Sequence, residues 1–188
     1  MSNALSVVII TKNEENFIED AIISANFAQE VLVLDSNSID ETIKIATKLS
    51  ARVEKQEWLG FGKQKNLAVR LATHEWVFVL DADERITPSL KMEILRTLEN
   101  PSSDGYLVPR LNCFFGKFIK TCGLFPDCSI RLYKKSQGRF NEVEVHESVE
   151  INGKVSKLKN HMIHLAYDNV EEFIEKQKKY SNLSNKKR

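Results

Sequence analysis

The chain has no strong excess of either charge. Its 188 residues include 27 Lys and Arg against 26 Asp and Glu, which gives a net charge of +1. A nucleic-acid-binding domain of this size usually has a basic surplus, so the composition argues against nucleic acid as a partner. No apolar run approaches the roughly 20 residues of a membrane-spanning helix, and no signal peptide is recognised, so we expect a cytoplasmic protein.

Cysteine is scarce and irregularly spaced, and two common phosphate-binding motifs are missing. The cysteines are Cys113, Cys122 and Cys128, an odd number that fits reduced thiols better than disulfides or a zinc site. Neither a dinucleotide-binding fingerprint nor a Walker A motif is present. With 42% hydrophobic and 28% charged residues, the chain has the composition of one soluble domain with a sizeable core.

The most informative stretch is a continuous apolar run that ends in acid, Trp76-Val77-Phe78-Val79-Leu80-Asp81-Ala82-Asp83-Glu84. β-branched and aromatic residues without polar alternation predict a strand buried on both faces. If the chain stays extended, Asp81 and Asp83 leave the same side of the backbone at the strand's carboxyl end, where open α/β sheets bind ligands. Because two close carboxylates repel, Mg²⁺ or Mn²⁺ shared with a phosphorylated substrate would stabilise them. The alternative is a polar strand end that enters a loop.

Strand and helix patterns alternate along the first hundred residues. Short strands are predicted at residues 5–10, 31–34 and 52–55, ahead of the acidic strand. Apolar residues at helical spacing follow each of the four strands, and Thr87-Pro88 is a typical helix start. This alternation predicts an α/β fold with a mostly parallel central sheet and helices on its faces.

Polar residues also follow the other predicted strands. The first strand ends in Thr11-Lys12-Asn13-Glu14-Glu15, where the side chains could contact a ligand or cap the next helix. Asp35 ends the second strand and could accept hydrogen bonds from a ribose or a base. Asp40 is better explained as a helix cap. Lys63 and Lys65 open the next helix as cationic donors near the site, or as a solvated helix start.

The alternation of strand and helix patterns ends after residue 104. Strands are predicted at residues 106–109, 129–133 and 142–145, with turns at 136–138 and 152–153. We interpret this part as extra, partly antiparallel strands and loops that complete a pocket. Residues 113–127 are rich in Phe and Gly, which suits a mobile loop over the site or a groove for a second substrate.

Two further elements of this half could carry chemistry. Glu147, in Val145-His146-Glu147, could act as a general base, and His164 as a metal ligand or phosphate donor. The alternative is a structural His-Glu pair. Residues 170–180 have helical spacing, and residues 176–188 contain basic but no acidic residues. A solvated helix end is the favoured explanation, with peripheral contact to an anionic membrane as the alternative.

Taken together, these residues resemble the family 2 glycosyltransferases, which have the nucleotide-diphosphosugar-binding fold called GT-A. Four pieces in this order carry the resemblance: Ser6-Val7-Val8-Ile9-Ile10-Thr11-Lys12-Asn13-Glu14, Val33-Leu34-Asp35-Ser36-Asn37-Ser38-Ile39-Asp40-Glu41-Thr42, Lys65-Asn66 and Leu80-Asp81-Ala82-Asp83-Glu84. Arg131-Leu132-Tyr133 with Val145-His146-Glu147 is similar to the branch that builds lipopolysaccharide cores, β-glucosyltransferases that act on the inner-core heptose.

The resemblance implies a role for each matching residue. The residues that would border the nucleotide are Thr11, Asn13, Glu14 and Asp35, with Asp35 toward the uracil or ribose. Lys65 stands where the family commonly has arginine, so it offers charge without a planar fork. Asp81 would face the nucleoside, Asp83 would bind the metal, and Glu147 falls in the region that supplies the catalytic base.

The resemblance also implies the domain organisation. We expect one glycosyltransferase domain over residues 1–188. Residues 1–104 would form the nucleotide-sugar-binding half, 105–168 the acceptor and catalytic half, and 169–188 a C-terminal helix with a basic tail. Many members of the family extend further at the C-terminus, often with membrane-associating segments.

The expected activity is inverting transfer of a hexose, with glucose and UDP favoured, from a nucleotide diphosphosugar to a hydroxyl. The acceptor would be a glycan or a lipid-linked saccharide such as a lipopolysaccharide core, met in the cytoplasm or at the inner face of the plasma membrane. Three alternatives remain. They are a sugar-nucleotide pyrophosphorylase, a non-catalytic or truncated nucleotide-sugar or glycan-binding domain, and a plain interaction domain.

Overall fold

The computed structural model of the protein describes residues 3–121, 123–141 and 147–167. The helices are α1 (Ile18–Ala25), α2 (Thr42–Lys48), α3 (Phe61–Leu71) and α4 (Pro88–Glu99). The strands are β1 (Leu5–Thr11), β2 (Glu30–Asp35), β3 (Arg52–Lys55), β4 (Trp76–Asp81), β5 (Glu84–Ile86), β6 (Gly105–Phe114), β7 (Lys117–Phe118), β8 (Asp127–Lys134), β9 (Gly138–Phe140), β10 (Val149–Ile151), β11 (Val155–Lys157) and β12 (Met162–Tyr167). In this described part of the chain, no helix combines the length and apolar character needed to cross a membrane.

The two central strands are apolar throughout because both of their faces are covered. Side chains alternate across a strand, and Val7, Ile9 and Phe78 pack in one core with residues of α1 and α4. Their neighbours Val8 and Val77 pack in a second core with Ala68 and Val69 of α3 and with residues of the second half. Helices therefore lie on both faces of the sheet, as the strand–helix alternation predicted.

A ten-stranded sheet contains most of the strands, in the order β3-β2-β1-β4-β8-β6-β12-β5, with β7 and β11 also paired to β6. The first four strands are mutually parallel. β8 runs antiparallel to both β4 and β6, so β6 has the direction of β4. β9 and β10 form a separate antiparallel pair. The second half thus continues the same sheet, in agreement with the expected antiparallel extension.

Most of the predicted elements are confirmed, and one prediction about the acidic strand is wrong. The Thr87 hydroxyl caps α4 by accepting a hydrogen bond from Leu90 N, with Pro88 at the start of the helix. The chain does not stay extended after Asp81, because Ala82 and Asp83 form a turn into the unforeseen strand β5. The predicted strand at residues 142–145 and the predicted helix at residues 170–180 lie outside the described residues.

The carboxylate of Glu30 joins the amino ends of β1 and β2 to the chain that enters β4. It accepts hydrogen bonds from Ser6 Oγ, from Thr73 N and Oγ1, and from Arg52 Nη1. Burial alone would raise the pKa of Glu30, but these donors outweigh burial and lower the pKa below its ordinary value.

Glu30→Gln is expected to lower the free energy of unfolding by about 1.5–3 kcal/mol at neutral pH, the range for hydrogen bonds to a charged group. Because the pKa is lower in the folded state, this contribution is present above the unfolded-state pKa and is lost as the pH falls through the folded-state pKa. Urea unfolding at neutral and acid pH should show the difference shrinking in acid. Glu57→Gln at an exposed position should change little at either pH. A difference that grows in acid would contradict the assignment.

Candidate active site at the carboxyl edge of the sheet

The carboxyl ends of β1, β2 and β4 meet at one edge of the sheet. In the parallel register Thr11 lies beside Asp35, and Ile10 lies beside Asp81. The structure therefore brings together the polar strand ends that the sequence singled out. This is the edge at which open α/β sheets bind ligands.

Asp35 fixes the two loops that follow β1 and β2. Its side chain is fully buried, and its carboxylate accepts hydrogen bonds from Thr11 Oγ1 at 3.0 Å, Ser38 N at 2.8 Å and Ser38 Oγ at 2.5 Å. Asn13, which has a φ of 57°, donates its backbone N–H to Ser38 Oγ and accepts from Ile39 N. Glu14 N donates to Thr42 Oγ1, the side chain at the start of α2. These loops are held in place by the protein itself.

Asp81 ends β4 between two cations that come from distant parts of the sequence. Lys65 Nζ lies 3.0 Å from Asp81 Oδ1, and Arg131 Nη2 lies 3.2 Å from Asp81 Oδ2. Burial alone would raise the pKa of Asp81, but the charges of Lys65 and Arg131 outweigh burial and hold the pKa well below its ordinary value. Protein cations therefore balance the charge of this carboxylate.

Asp83 lies in the turn after β4 and faces His164 of β12. Leu165 N donates a hydrogen bond to the backbone oxygen of Asp83, which anchors the turn to β12. His164 Nε2 lies 3.4 Å from Asp83 Oδ2, and His164 Nδ1 lies 2.7 Å from Asn112 Oδ1. In the tautomer that donates Nδ1–H to Asn112 Oδ1, Nε2 carries the lone pair and lies on the side of Asp83.

This pair has the chemistry of a partial metal site. A carboxylate oxygen suits Mg²⁺ or Mn²⁺, an imidazole nitrogen is a common ligand of transition metals, and a hydrogen-bond acceptor on the far ring nitrogen is how a ligating histidine is oriented. Within residues 3–121, 123–141 and 147–167, no group of three or more His, Cys, Asp and Glu side chains could hold a metal ion. Two protein ligands plus substrate phosphates and water are nevertheless a common arrangement for such cations.

Lys65 links the acidic strand end to Glu147. Its ammonium, on a side chain only 6% exposed, lies 2.9 Å from Glu147 Oε1 as well as 3.0 Å from Asp81 Oδ1. Burial alone would lower the pKa of Lys65, but the charges of Asp81 and Glu147 outweigh burial and raise it. The sequence predicted Lys65 as a donor to the nucleotide, and the structure places it in this bridge.

Hydrogen bonds attach the segment that bears Glu147 to α3 and join the two ends of that segment to each other. Asn66 Nδ2 donates to the Phe140 oxygen, and Phe140 N donates to Asn66 Oδ1, both at 2.9 Å. Asn141 N donates to the Ser148 oxygen, and Ser148 N donates to Asn141 Oδ1. Residues 142–146, including His146, lie outside the described residues. Both residues of the Lys65-Asn66 pair therefore support Glu147: Lys65 contacts its carboxylate, and Asn66 holds the backbone that leads to it.

A buried charge cluster that the sequence patterns did not predict contacts Asp81. Glu84, with no exposed surface, accepts from Arg131 Nη2 at 2.6 Å and from Arg110 Nη1 at 3.4 Å. Its other oxygen accepts from Asp81 N at 3.0 Å. Arg110 also binds Asp127. The available signal was an arginine in the middle of an apolar strand, because a buried charge needs a partner.

Residues 6–150, well over half of the chain, match the family model described as Glycosyl transferase family 2. The chain belongs to glycosyl transferase family 2. This family 2 chain is similar to several curated proteins. One is a protein of Rickettsia conorii named as an uncharacterized glycosyltransferase, 34% identical over 97% of this chain and 69% of the relative.

A second similar protein is the lipopolysaccharide core biosynthesis glycosyltransferase LpsC of Rhizobium meliloti. It is 29% identical over 95% of this chain and 69% of the relative. The family 2 chain thus spans about two thirds of the length of the curated relatives that it matches.

Solved structures show the fold. The S. aureus TarS 1–349 structure in complex with UDP-GlcNAc superposes with a TM-score of 0.65 at 19% identity, covering 88% of this chain and 59% of that one. Glucosyl-3-phosphoglycerate synthase from Mycobacterium tuberculosis, in complex with Mn²⁺, UDP and glucosyl-3-phosphoglycerate, gives 0.54 at 21% identity, covering 71% and 57%. The expectation of an α/β, GT-A-like fold is confirmed.

Proposed function

We propose that this chain transfers a hexose from a UDP-sugar to a hydroxyl of a glycan or lipid-linked saccharide, with inversion at the anomeric carbon. Glu147 is the general base, and Asp83 with His164 holds Mg²⁺ or Mn²⁺. Thr11, Asn13, Glu14, Asp35 and Asp81 form the nucleotide end of the site.

The observation that supports this assignment best is the Lys65 bridge. One buried ammonium contacts both Asp81, at the nucleotide edge, and Glu147. A base must lie within hydrogen-bond reach of the acceptor hydroxyl while that hydroxyl approaches the donor. The bridge holds Glu147 beside the edge where the donor would bind. The family assignment favours glycosyl transfer over the pyrophosphorylase alternative.

In the reaction, Glu147 takes the proton of the acceptor hydroxyl as its oxygen bonds to the anomeric carbon. The bond from that carbon to the diphosphate oxygen breaks on the opposite face, and the electron pair leaves with UDP. Asp35 and the loops that it fixes position the nucleoside, and Asp81 presents a carboxylate to it. Lys65 orients Glu147 through the contact that it already makes.

Asp83 and His164 are the residues that would hold a divalent cation. Such an ion, when bound, neutralises charge on the departing diphosphate as a Lewis acid. Asn112 fixes the ring orientation of His164, so it is the supporting residue of this pair.

The donor and acceptor classes rest on the similar proteins. TarS was solved with UDP-GlcNAc, and the synthase was solved with Mn²⁺ and UDP. LpsC is named for lipopolysaccharide core biosynthesis, which supports a core saccharide as the acceptor class. Such acceptors would be met in the cytoplasm or at the inner face of the plasma membrane.

Calorimetric titration with UDP tests the donor site. We expect Mn²⁺ or Mg²⁺ to tighten UDP binding, and we expect Asp83→Ala to weaken metal-dependent binding by about tenfold or more. Asp20→Ala is the control, since that side chain is 73% exposed and its carboxylate lies 3.8 Å from Arg85 Nη2. Equal UDP affinity with and without metal would contradict the metal assignment. No UDP binding under any condition would favour a plain interaction domain.

A further inference from the structure

The proposed reaction does not use the aromatic segment that follows β6. We call residues 114–121 and 123–126 the aromatic hairpin. Phe114 pairs with Lys117, and Phe115 and Gly116 form the two-residue turn, with φ angles of 53° and 73°. Positive φ at both turn positions is typical of a tight hairpin, but it is rare for a residue as bulky as phenylalanine. The chain thus places an aromatic side chain at a tip where glycine or asparagine is usual.

The surface of the aromatic hairpin combines apolar side chains with positive charge. Phe115, Phe118 and Leu124 are 42%, 53% and 40% exposed. Lys117 and Lys120 are exposed between them. No acidic residue occurs anywhere from Gly105 to Pro126. The next one along the chain, Asp127, is bound by Arg110.

The aromatic hairpin projects from the catalytic edge of the sheet. β6 has the direction of β4, so its carboxyl end lies at the edge where Asp81 lies. Asn112, which orients His164, comes two residues before the hairpin, and Ile119 N donates back to the Asn112 oxygen at 3.0 Å. Whatever binds the hairpin is therefore next to the candidate metal pair.

We propose that the aromatic hairpin docks the protein on an anionic lipid bilayer. Aromatic side chains favour the headgroup boundary, and lysines without acidic neighbours in sequence are attracted to anionic headgroups. A second copy of this surface would place Lys117 and Lys120 against like charges, whereas an anionic interface complements both features. Docking at this edge would present the site to saccharides carried in the same membrane. The proposal concerns lipid binding alone and does not depend on the transfer reaction.

Co-sedimentation of the full chain with vesicles tests the proposal. We expect binding to phosphatidylcholine vesicles that contain phosphatidylglycerol, weak binding to phosphatidylcholine alone, and loss of binding in high salt. Lys117→Gln and Lys120→Gln should each weaken binding by roughly fivefold. The double variant Phe115→Ser, Phe118→Ser should remove most of it.

Matched controls use exposed residues elsewhere in the fold. Met92→Ser on α4, at 48% exposure, and Lys48→Gln on α2 should bind vesicles as the wild type does. Circular dichroism checks that each variant is folded. The proposal would be overturned if the wild-type protein did not bind anionic vesicles. Hairpin variants that bind vesicles as tightly as the wild type would also overturn the proposal, because another part of the chain, such as the basic residues 176–188, would then make the contact. If the wild type does not bind vesicles but forms a dimer, and the hairpin variants abolish that dimer, the partner of the hairpin would be a second copy of this chain and not a membrane.

Discussion

Replacing Glu147 with glutamine is expected to lower kcat for sugar transfer by about 10²–10⁴-fold, the usual contribution of a positioned base. Glutamine keeps the shape of the side chain and an oxygen that Lys65 Nζ can still contact, so the fold and donor affinity should survive. The change removes only the capacity to take a proton. Transfer is measured as UDP released in the presence of acceptor, and donor affinity by calorimetry.

Glu150→Gln provides the matched control for this substitution. Glu150 is an exposed carboxylate three residues further along, in β10, and the same isosteric change should leave kcat within a few-fold of wild type. A Glu147→Gln variant with near-normal transfer would show that another group is the base. Loss of donor affinity as large as the loss in kcat would mean that Glu147 serves binding and not proton transfer.

Arg131→Met should lower the free energy of unfolding by about 3–5 kcal/mol, as expected when one partner of a buried ion pair is removed. Arg131 is 5% exposed and contacts both Asp81 and Glu84, and Glu84 has no exposed surface. Burial alone would lower the pKa of Arg131, but the charges of Glu84 and Asp81 outweigh burial and raise it. Methionine would leave the carboxylates of Asp81 and Glu84 without the positive charge of Arg131. Urea unfolding measures the loss.

A second substitution separates the ion pair from simple packing. In a Glu84→Gln background, Arg131→Met should cost less than it does alone, because one of the stranded charges has been removed. Arg131→Lys should fall between wild type and Arg131→Met, since an ammonium lacks the planar fork that reaches both carboxylates. Arg96→Met, at an exposed position of α4, is the control. A loss below about 1 kcal/mol for Arg131→Met would contradict this account of the cluster.

The first half of the fold was predictable because its signals are local. Continuous apolar runs marked β1 and β4, and the Thr87-Pro88 signature marked the start of α4. The second half was harder because its order comes from contacts between distant residues. β8 lies between β4 and β6, and β12 lies between β6 and β5, an arrangement that no short pattern encodes. The three-residue strand β5 is too short to give a pattern of its own.

The site divides in the same way. Polar residues at strand ends predicted where Thr11, Asp35 and Asp81 would meet, since parallel strands share a carboxyl edge. Their charge partners were not predictable. Lys65 meets Glu147 across 82 positions of sequence, and Arg131 meets Asp81 across 50. The two-residue spacing of Asp81 and Asp83 suggested that the two side chains would act together. The turn after Asp81 instead gives them different partners.

A single transfer experiment tests the central claim most directly. UDP release from UDP-glucose is followed with a core saccharide acceptor, with Mn²⁺ or EDTA, for wild type, Glu147→Gln and Asp83→Ala. We predict acceptor-dependent release by wild type that EDTA abolishes, with both variants reduced by about 10²-fold or more. Wild-type turnover that persists in EDTA and in both variants would contradict the assignment of Glu147 and Asp83.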